Sequence, residues 1–262
     1  MEENTVTTTA DFSATTATDT SPPPQRRSIC GNCSRPLPVC LCHALPASPI
    51  PTATQIIIVQ HPHESHHKLN TIPLLTRSLL HATAFISRKL RPNLHPLLDS
   101  LRNNINDNDH SPRAIYLFPP SSSSPAVSLS ELKNMLNEGD GGRGLVLIVF
   151  DATWKHAREM VKASEGYLGQ FALRVCLDGG LNEEAEGGSI YESELVLRKE
   201  PCGGCVTTAE AVARFLRVVE PNGPEIESKI IGSLREMVRL QARFLKPMKP
   251  RPRLLRQSNQ KD

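Results

Sequence analysis

Cys30, Cys33, Cys40 and Cys42 fall within thirteen consecutive positions of a 262-residue chain. Cys-x-x-Cys, then six residues, then Cys-x-Cys brings four thiolates within reach of one tetrahedral ion, and thiolate sulfur suits zinc in a closed structural site. The stretch is rich in Pro and poor in core formers, so buried free thiols would have little apolar interior to occupy. His43 is a ligand by type, but its adjacency to Cys42 makes joint binding awkward. Cys176, Cys202 and Cys205 complete seven cysteines. An odd total argues against a disulfide framework, and no apolar signal core opens the sequence. A reducing compartment, cytoplasmic and/or nuclear, is the expectation.

A second set of reactive types is spread along the chain. Asp151 follows the apolar run Leu145–Phe150 and precedes Trp154, the single tryptophan. Open α/β sheets place their ligands at the carboxyl ends of strands, so Asp151 is either a catalytic acid or base or the cap of the next helix. Trp154 either stacks on a flat ring or packs in the core. His61-Pro-His-Glu-Ser-His-His67 has metal-ligating types, but Pro62 forbids a regular helix and no helical His pair is followed by Glu. A polar loop on the ligand side of the sheet is the expectation, in which His61, Glu64, Asn70 and Thr71 are candidates to hydrogen-bond a substrate. Cys202-Gly-Gly-Cys205 has the spacing of a redox pair, but the capping pattern Thr207-Thr-Ala-Glu210 starts the helix after the second thiol. That helix start is a natural anion site. Gly139-Asp-Gly-Gly-Arg-Gly144 matches a dinucleotide pattern but precedes a strand instead of following one, so it reads as a turn.

These residues need elements to hold them. Gln55–Gln60, Ala114–Phe118, Leu145–Phe150, Phe171–Leu177 and Glu194–Lys199 read as strands. Asn70-Thr71 with Pro73 opens a helix carrying Leu74, Leu75, Leu79 and Leu80. Ser128-Leu-Ser-Glu131 opens another, Lys155–Ser164 a third and Thr207–Val219 a fourth. Glu225–Leu245 is a long final helix with Ile230, Leu234, Met237, Val238 and Phe244 on one face. Arg91–Pro112, rich in Asn, Asp and Pro, reads as loop. The alternation implies an α/β domain with a mainly parallel sheet and flanking helices, preceded by a small zinc-binding module.

Charge and composition set the outer limits. A 39% apolar share supports a core, and the short apolar runs exclude a spanning helix, so no membrane partner is expected. The net charge is +3, yet Arg243–Asp262 carries seven basic residues and one acid, so the preceding residues sum to −3. Arg243, Lys246, Lys249, Arg251, Arg253 and Arg256 are broken up by prolines into an extended basic strip suited to nucleic-acid backbone, or to a solvated tail or nuclear address. The expected organisation is a disordered leader over 1–27, a zinc-binding module over 28–45, a catalytic α/β domain over 46–245 and a basic tail over 246–262. No obligate protein partner is evident.

Six segments in order carry a family resemblance. Cys30-x-x-Cys33 with Cys40-Leu-Cys42, Gln60-His-Pro-x-Glu64, Asn70-Thr71, Asp151-x-Thr-Trp154, Tyr191 with Leu197-Arg198-Lys199, and Thr208-Ala-Glu-Ala211 resemble the DTW-domain tRNA-uridine aminocarboxypropyltransferases, from about residue 26 to 220. The resemblance implies a SPOUT-related fold with a knotted cofactor site. It implies S-adenosylmethionine as donor of a 3-amino-3-carboxypropyl group to N3 of a tRNA uridine, with tRNA as partner. Asp151, Thr153 and Trp154 then match the catalytic motif, and Tyr191, Arg198, Thr207, Thr208 and Glu210 match segments of the cofactor pocket. Ala152 stands where the family commonly has glycine, and Thr207 where serine is more frequent. A SPOUT-type RNA methyltransferase, an RNA-binding zinc module and a thiol oxidoreductase using Cys202 and Cys205 are the competing readings.

Overall fold

The computed structural model describes residues 28–103, 113–121, 123–138, 144–177 and 206–244. Six strands form one sheet: β1 (Gln55–Gln60), β2 (Ala82–Ile86), β3 (Ala114–Leu117), β4 (Val127–Ser128), β5 (Val146–Asp151) and β6 (Ala172–Cys176), in the order β2-β1-β5-β3-β6-β4. Every pairing among them is parallel. The helices are α1 (Ile72–Ser78), α2 (Pro96–Asn103), α3 (Leu129–Glu138), α4 (Trp154–Leu168), α5 (Thr208–Val219) and α6 (Gly223–Ala242).

The strands β1 and β5 are continuous apolar runs because both faces of the sheet are covered. Ile56, Ile58, Leu147 and Val149 point toward a core built with residues of α1, α3, α5 and α6. Their neighbours Ile57, Val59, Val146, Ile148 and Phe150 point the other way, onto Leu98 of α2 and Met160, Val161 and Leu168 of α4. Each such fully buried side chain contributes about 1.5–3 kcal/mol of hydrophobic stabilisation. β5 arrives late in the chain and enters between β1 and β3, which makes its end the centre of the sheet's carboxyl edge.

Several expectations from sequence need adjusting. Arg91–Pro112 is not all loop: Pro96–Asn103 is helix α2, tied to α4 by a 2.8 Å bond from the Tyr167 hydroxyl to Asp99. The edge strand β2 had no apolar run to announce it, since only Ala82 of its five residues is buried. α6 stops at Ala242, so Phe244 lies beyond the apolar face assigned to it and is 58% exposed. The turn into α6 admits only glycine at 223, because a Cβ there would collide with the Arg217 backbone. Both capping boxes form: Ser128 with Glu131 at α3, and Thr207 with Glu210 at α5.

The four-cysteine segment is not an independent appendage. Val39 and Leu41 sit in the same core as α6. The Ser233 hydroxyl of α6 donates to the Ala44 carbonyl at 2.5 Å. The expected leader, the Gly139–Arg143 turn, the strand at Glu194–Lys199 and the basic tail from Lys246 all lie outside the described residues. So does the segment 178–205 joining β6 to α5, and with it the chain course on which a knot is judged.

Candidate active site

Gln60 ends β1 and Asp151 ends β5, and the parallel register makes them direct partners. Alternation along each strand turns both side chains to the α5 side, since their predecessors Val59 and Phe150 face α4. Asp151 is 9% exposed. Its Oδ2 accepts a 3.2 Å bond from Gln60 Nε2, and its Oδ1 a 2.7 Å bond from the Thr208 hydroxyl at the first position of α5. The Gln60 amide also donates to Asn70 Oδ1 at 3.2 Å, and that oxygen accepts the Ile72 amide at the start of α1. One carboxylate is thus held by side chains from β1 and α5, with the α1 entry fixed behind it.

Asp151 is therefore not the cap of α4. Thr153 caps it, its Oγ1 accepting the His156 amide at 3.4 Å. Trp154 follows as the first helical residue and is half-buried, not a core residue, with its ring 6.1 Å from Phe118. The Arg174 guanidinium lies over the other partner of that pair, 5.3 Å from the Phe118 ring centre, and bonds Glu165 and the Pro119 carbonyl. The Phe118 and Trp154 rings and Arg174 thus form a partly exposed aromatic cluster at the carboxyl edge of the sheet.

The residues assigned to a cofactor pocket divide. Thr208 contacts Asp151 directly. Thr207 and Glu210 are occupied with each other: Thr207 Oγ1 accepts the Glu210 amide at 3.2 Å, and Glu210 accepts the Thr207 amide at 3.0 Å. They fix where α5 begins and so where Thr208 points. Tyr191 and Arg198, with Cys202 and Cys205, lie outside the described residues. Of the substrate candidates, Asn70 joins the Asp151 network, while Thr71 is buried at the α1 cap position without a side-chain cap bond. Glu64 is buried in a short 3-10 turn beside His61. His61 is buried too, its backbone N–H on the Asp151 carbonyl at 2.9 Å. Burial holds its imidazole below the usual range, reinforced by His156, His63 and Arg88 and opposed by Glu64.

The four cysteines converge as their spacing requires. Cys30 and Cys42 sulfurs are 3.5 Å apart and those of Cys33 and Cys40 3.7 Å, near the roughly 3.8 Å edge of a thiolate tetrahedron with ~2.3 Å bonds. Ser34 takes the left-handed conformation (φ 56°) that closes the Cys-x-x-Cys knuckle. Without a cation the four thiols cannot ionise together. The Cys33 backbone amide first, then that of Asn32 and the Cys42 thiol, bring Cys30 down to about 6. The Cys42 amide favours the Cys40 thiolate, but burial and the Cys30, Cys42 and Cys33 sulfurs outweigh it and push Cys40 up to about 12. The cluster is able to chelate a metal. His43 takes no part in it and instead faces Glu236 of α6 at 2.9 Å. Buried Arg35 bonds the Val39 carbonyl and Gln241 of α6; burial lowers the pKa of its guanidinium, opposed by the nearby Cys33 and Cys40 sulfurs.

Sequence reasoning missed two residues that matter here. Gln60 appeared only as a letter of a motif; its signal was that β1 and β5 are strands of equal length whose apolar runs each end in a polar group. His156 carried no signal at all, because its neighbours His61 and His63 are almost a hundred positions away in sequence.

Residues 27–242 match the model of the DTW domain. The tRNA-uridine aminocarboxypropyltransferase A of Arabidopsis thaliana is 57% identical over 252 residues, covering 93% of this chain and 92% of that protein. The tRNA-uridine aminocarboxypropyltransferase 2 of Drosophila melanogaster is 30% identical over 84% of this chain and 77% of that protein. The mouse protein of the same name is 26% identical over 76% of this chain and 58% of its own length. No solved structure matches. With the Asp151-x-Thr-Trp154 strand end, the Thr208 helix start and the four-thiol cluster all lying inside the matched span, the chain belongs to the DTW-domain family of tRNA-uridine aminocarboxypropyltransferases.

Proposed function

We propose that the chain transfers the 3-amino-3-carboxypropyl group of S-adenosylmethionine to N3 of a uridine in a tRNA loop, releasing methylthioadenosine. The observation that carries the proposal is Asp151, a buried carboxylate gripped from two elements at the central carboxyl end of a parallel sheet. The 57% identity with a protein named for this reaction supports the same reading.

When bound, S-adenosylmethionine supplies a γ-carbon made electrophilic by its sulfonium, and the bond from that carbon to sulfur is the one that breaks. The donor set suits that molecule: Asp151 accepts an N–H, the first turn of α5 at Thr208 and Ala209 favours a carboxylate, and the Trp154 wall receives a flat ring. Arg198 and Tyr191 join this set on motif grounds alone, with Arg198 for the donor's carboxylate. The family resemblance adds a SPOUT-like, knotted cofactor site to this reading. Zinc is the ion proposed for Cys30, Cys33, Cys40 and Cys42, in a structural role.

Asp151 acts as general base toward uridine. An N3–H is far less acidic than a carboxylic acid, so the proton passes as the new N–C bond forms and N3 loses electron density. The bond to N3 is made, the carbon–sulfur bond is broken, and the proton ends on Asp151. Thr208 and Gln60 keep the carboxylate from rotating, which matters because N3 must lie about 3–3.5 Å from the carbon it attacks. N3 is on the pairing edge of the base, so an unpaired loop uridine is the accessible substrate. The basic run from Arg243 to Arg256 follows the tRNA backbone, and its removal flattens the salt dependence of binding.

The test is to incubate the protein with tRNA and S-adenosylmethionine, weigh the digested nucleosides and identify the by-product. Aminocarboxypropyl-uridine with methylthioadenosine is expected, and Asp151→Asn is expected to stay folded and give neither. Adenosylhomocysteine as the by-product would make the chain a methyltransferase, and an Asp151→Asn protein of near wild-type rate would remove the assigned base.

A further inference from the structure

The loop after β1 and the first turn of α4 bring three imidazoles together. His61 and His156 stack with ring centres 4.2 Å apart and 12° between planes, and His63 stands edge-on to both at 4.8 and 5.3 Å. One ring nitrogen from each residue lies within 4.8 Å of the others. The sequence alone argued against a metal here, because Pro62 breaks any helical ligand pair. That objection concerned only the loop. The third imidazole comes from a different element, which no spacing rule could anticipate.

We propose that His61, His63 and His156 form a second metal site in this chain, taking a divalent first-row ion of the zinc type through three imidazole nitrogens. The chemistry of the donors selects that class: imidazole suits zinc, cobalt, nickel and copper, and there is no thiolate among them. The surroundings favour it as well. His156 Nδ1 lies 3.1 Å from the Thr153 hydroxyl, the outer partner that fixes a ligating ring's tautomer and leaves Nε2 for the ion.

Two contacts must change on binding. Two nitrogens at ~2.1 Å from a tetrahedral ion are roughly 3.4 Å apart, so the present separations of up to 4.8 Å have to close. The parallel His61 and His156 rings also have to splay, because in-plane lone pairs of stacked rings do not converge. His63 is exposed and free to swing, and the 3.3 Å contact from its amide to His61 Nδ1 is long enough to give way. With three protein ligands, a four-coordinate ion keeps one position for water or an anionic oxygen. The site borders the Asp151 strand end through the His61 backbone bond, yet its metal binding does not depend on the transferase reading.

The experiment adds cobalt(II) to full-length protein that holds one equivalent of zinc, taken up by the four cysteines, and follows the visible spectrum. The expected result is one equivalent bound with the weak bands of nitrogen ligation and none of the intense thiolate charge-transfer bands that mark cobalt at cysteines. His63→Ala and His156→Gln, each checked for a wild-type circular dichroism spectrum, are expected to weaken binding by more than the roughly 10-fold typical of losing an outer partner. A His66→Ala, His67→Ala protein, which alters exposed histidines of the same loop, is expected to bind as wild type. The proposal is overturned if wild-type protein binds no cobalt beyond the cysteine site, if His63→Ala with His156→Gln leaves binding intact, or if binding instead follows His66 and His67.

Discussion

Replacing Thr208 by valine removes one hydroxyl and keeps the branched shape, so it isolates the 2.7 Å bond to Asp151 Oδ1. That oxygen is buried with its residue, and water replaces the lost donor poorly. A hydrogen bond to a charged group in such a place is worth about 1.5–3 kcal/mol. Two readouts share this quantity. If the bond serves chiefly to hold the native carboxylate, thermal unfolding shifts down by the few degrees that such a loss implies. If it also aims Asp151 in the reaction, kcat falls by roughly 10- to 100-fold, at about 1.4 kcal/mol per tenfold. Thr208→Ser restores the hydroxyl and should recover most of both losses. The assay is single-turnover transfer to tRNA with the melting curve of the same preparations beside it. A Thr208→Val enzyme with unchanged kcat and unchanged midpoint would refute the idea that α5 orients the base.

Three further outcomes follow from the same contacts. Arg35→Met removes the buried guanidinium and should destabilise the protein by about 1.5–3 kcal/mol, read by denaturant unfolding, because the Val39 carbonyl and Gln241 lose their charged donor. Removing the cysteine-bound metal with a chelator should lower the melting midpoint of the whole domain, not of a separate module, since Val39 and Leu41 share its core; a second, unshifted transition would contradict this. Arg239 first, then His43, hold Glu236 down to about 2 from 4.5, so its ion pairs stabilise fully above 4.5 and are lost as pH falls through 2. Glu236→Gln should flatten acid unfolding in that window by the modest amount typical of partly exposed pairs, about 0.5–1 kcal/mol, and an unaltered slope would show the pairs contribute nothing.

What could be read from sequence was whatever is local. Runs such as Leu145–Phe150 declare a strand covered on both faces, and Ser128 with Glu131 or Thr207 with Glu210 declare a helix start within four residues. Four thiols in thirteen positions declare their own site. The misses share the opposite character. β2 is an edge strand whose outward residues are mostly exposed, so it shows no apolar run. α2 is short and sits among Asn and Pro, so its apolar face of Leu97, Leu98 and Leu101 was outvoted by loop composition. Trp154 looked like a core residue by type, but the first position of a helix at the sheet's carboxyl edge leaves its ring half in solvent.

The tetrapeptide Asp151-Ala-Thr-Trp154 shows why fold and chemistry are hard to separate in this family. Asp151 is the last residue of β5, and its direction follows from strand parity and from Gln60 opposite. Two residues on, Thr153 caps α4, which fixes the angle at which the chain leaves the strand. Trp154 is then delivered beside Phe118, and His156 two residues further on beside His61. Thr153→Ala should therefore cost about 1 kcal/mol of stability as a lost cap, and should also release both the aromatic wall and the His156 ring. A variant that lost the cap energy while keeping full activity and full cobalt binding would mean that the strand end alone, and not the helix it launches, sets the site.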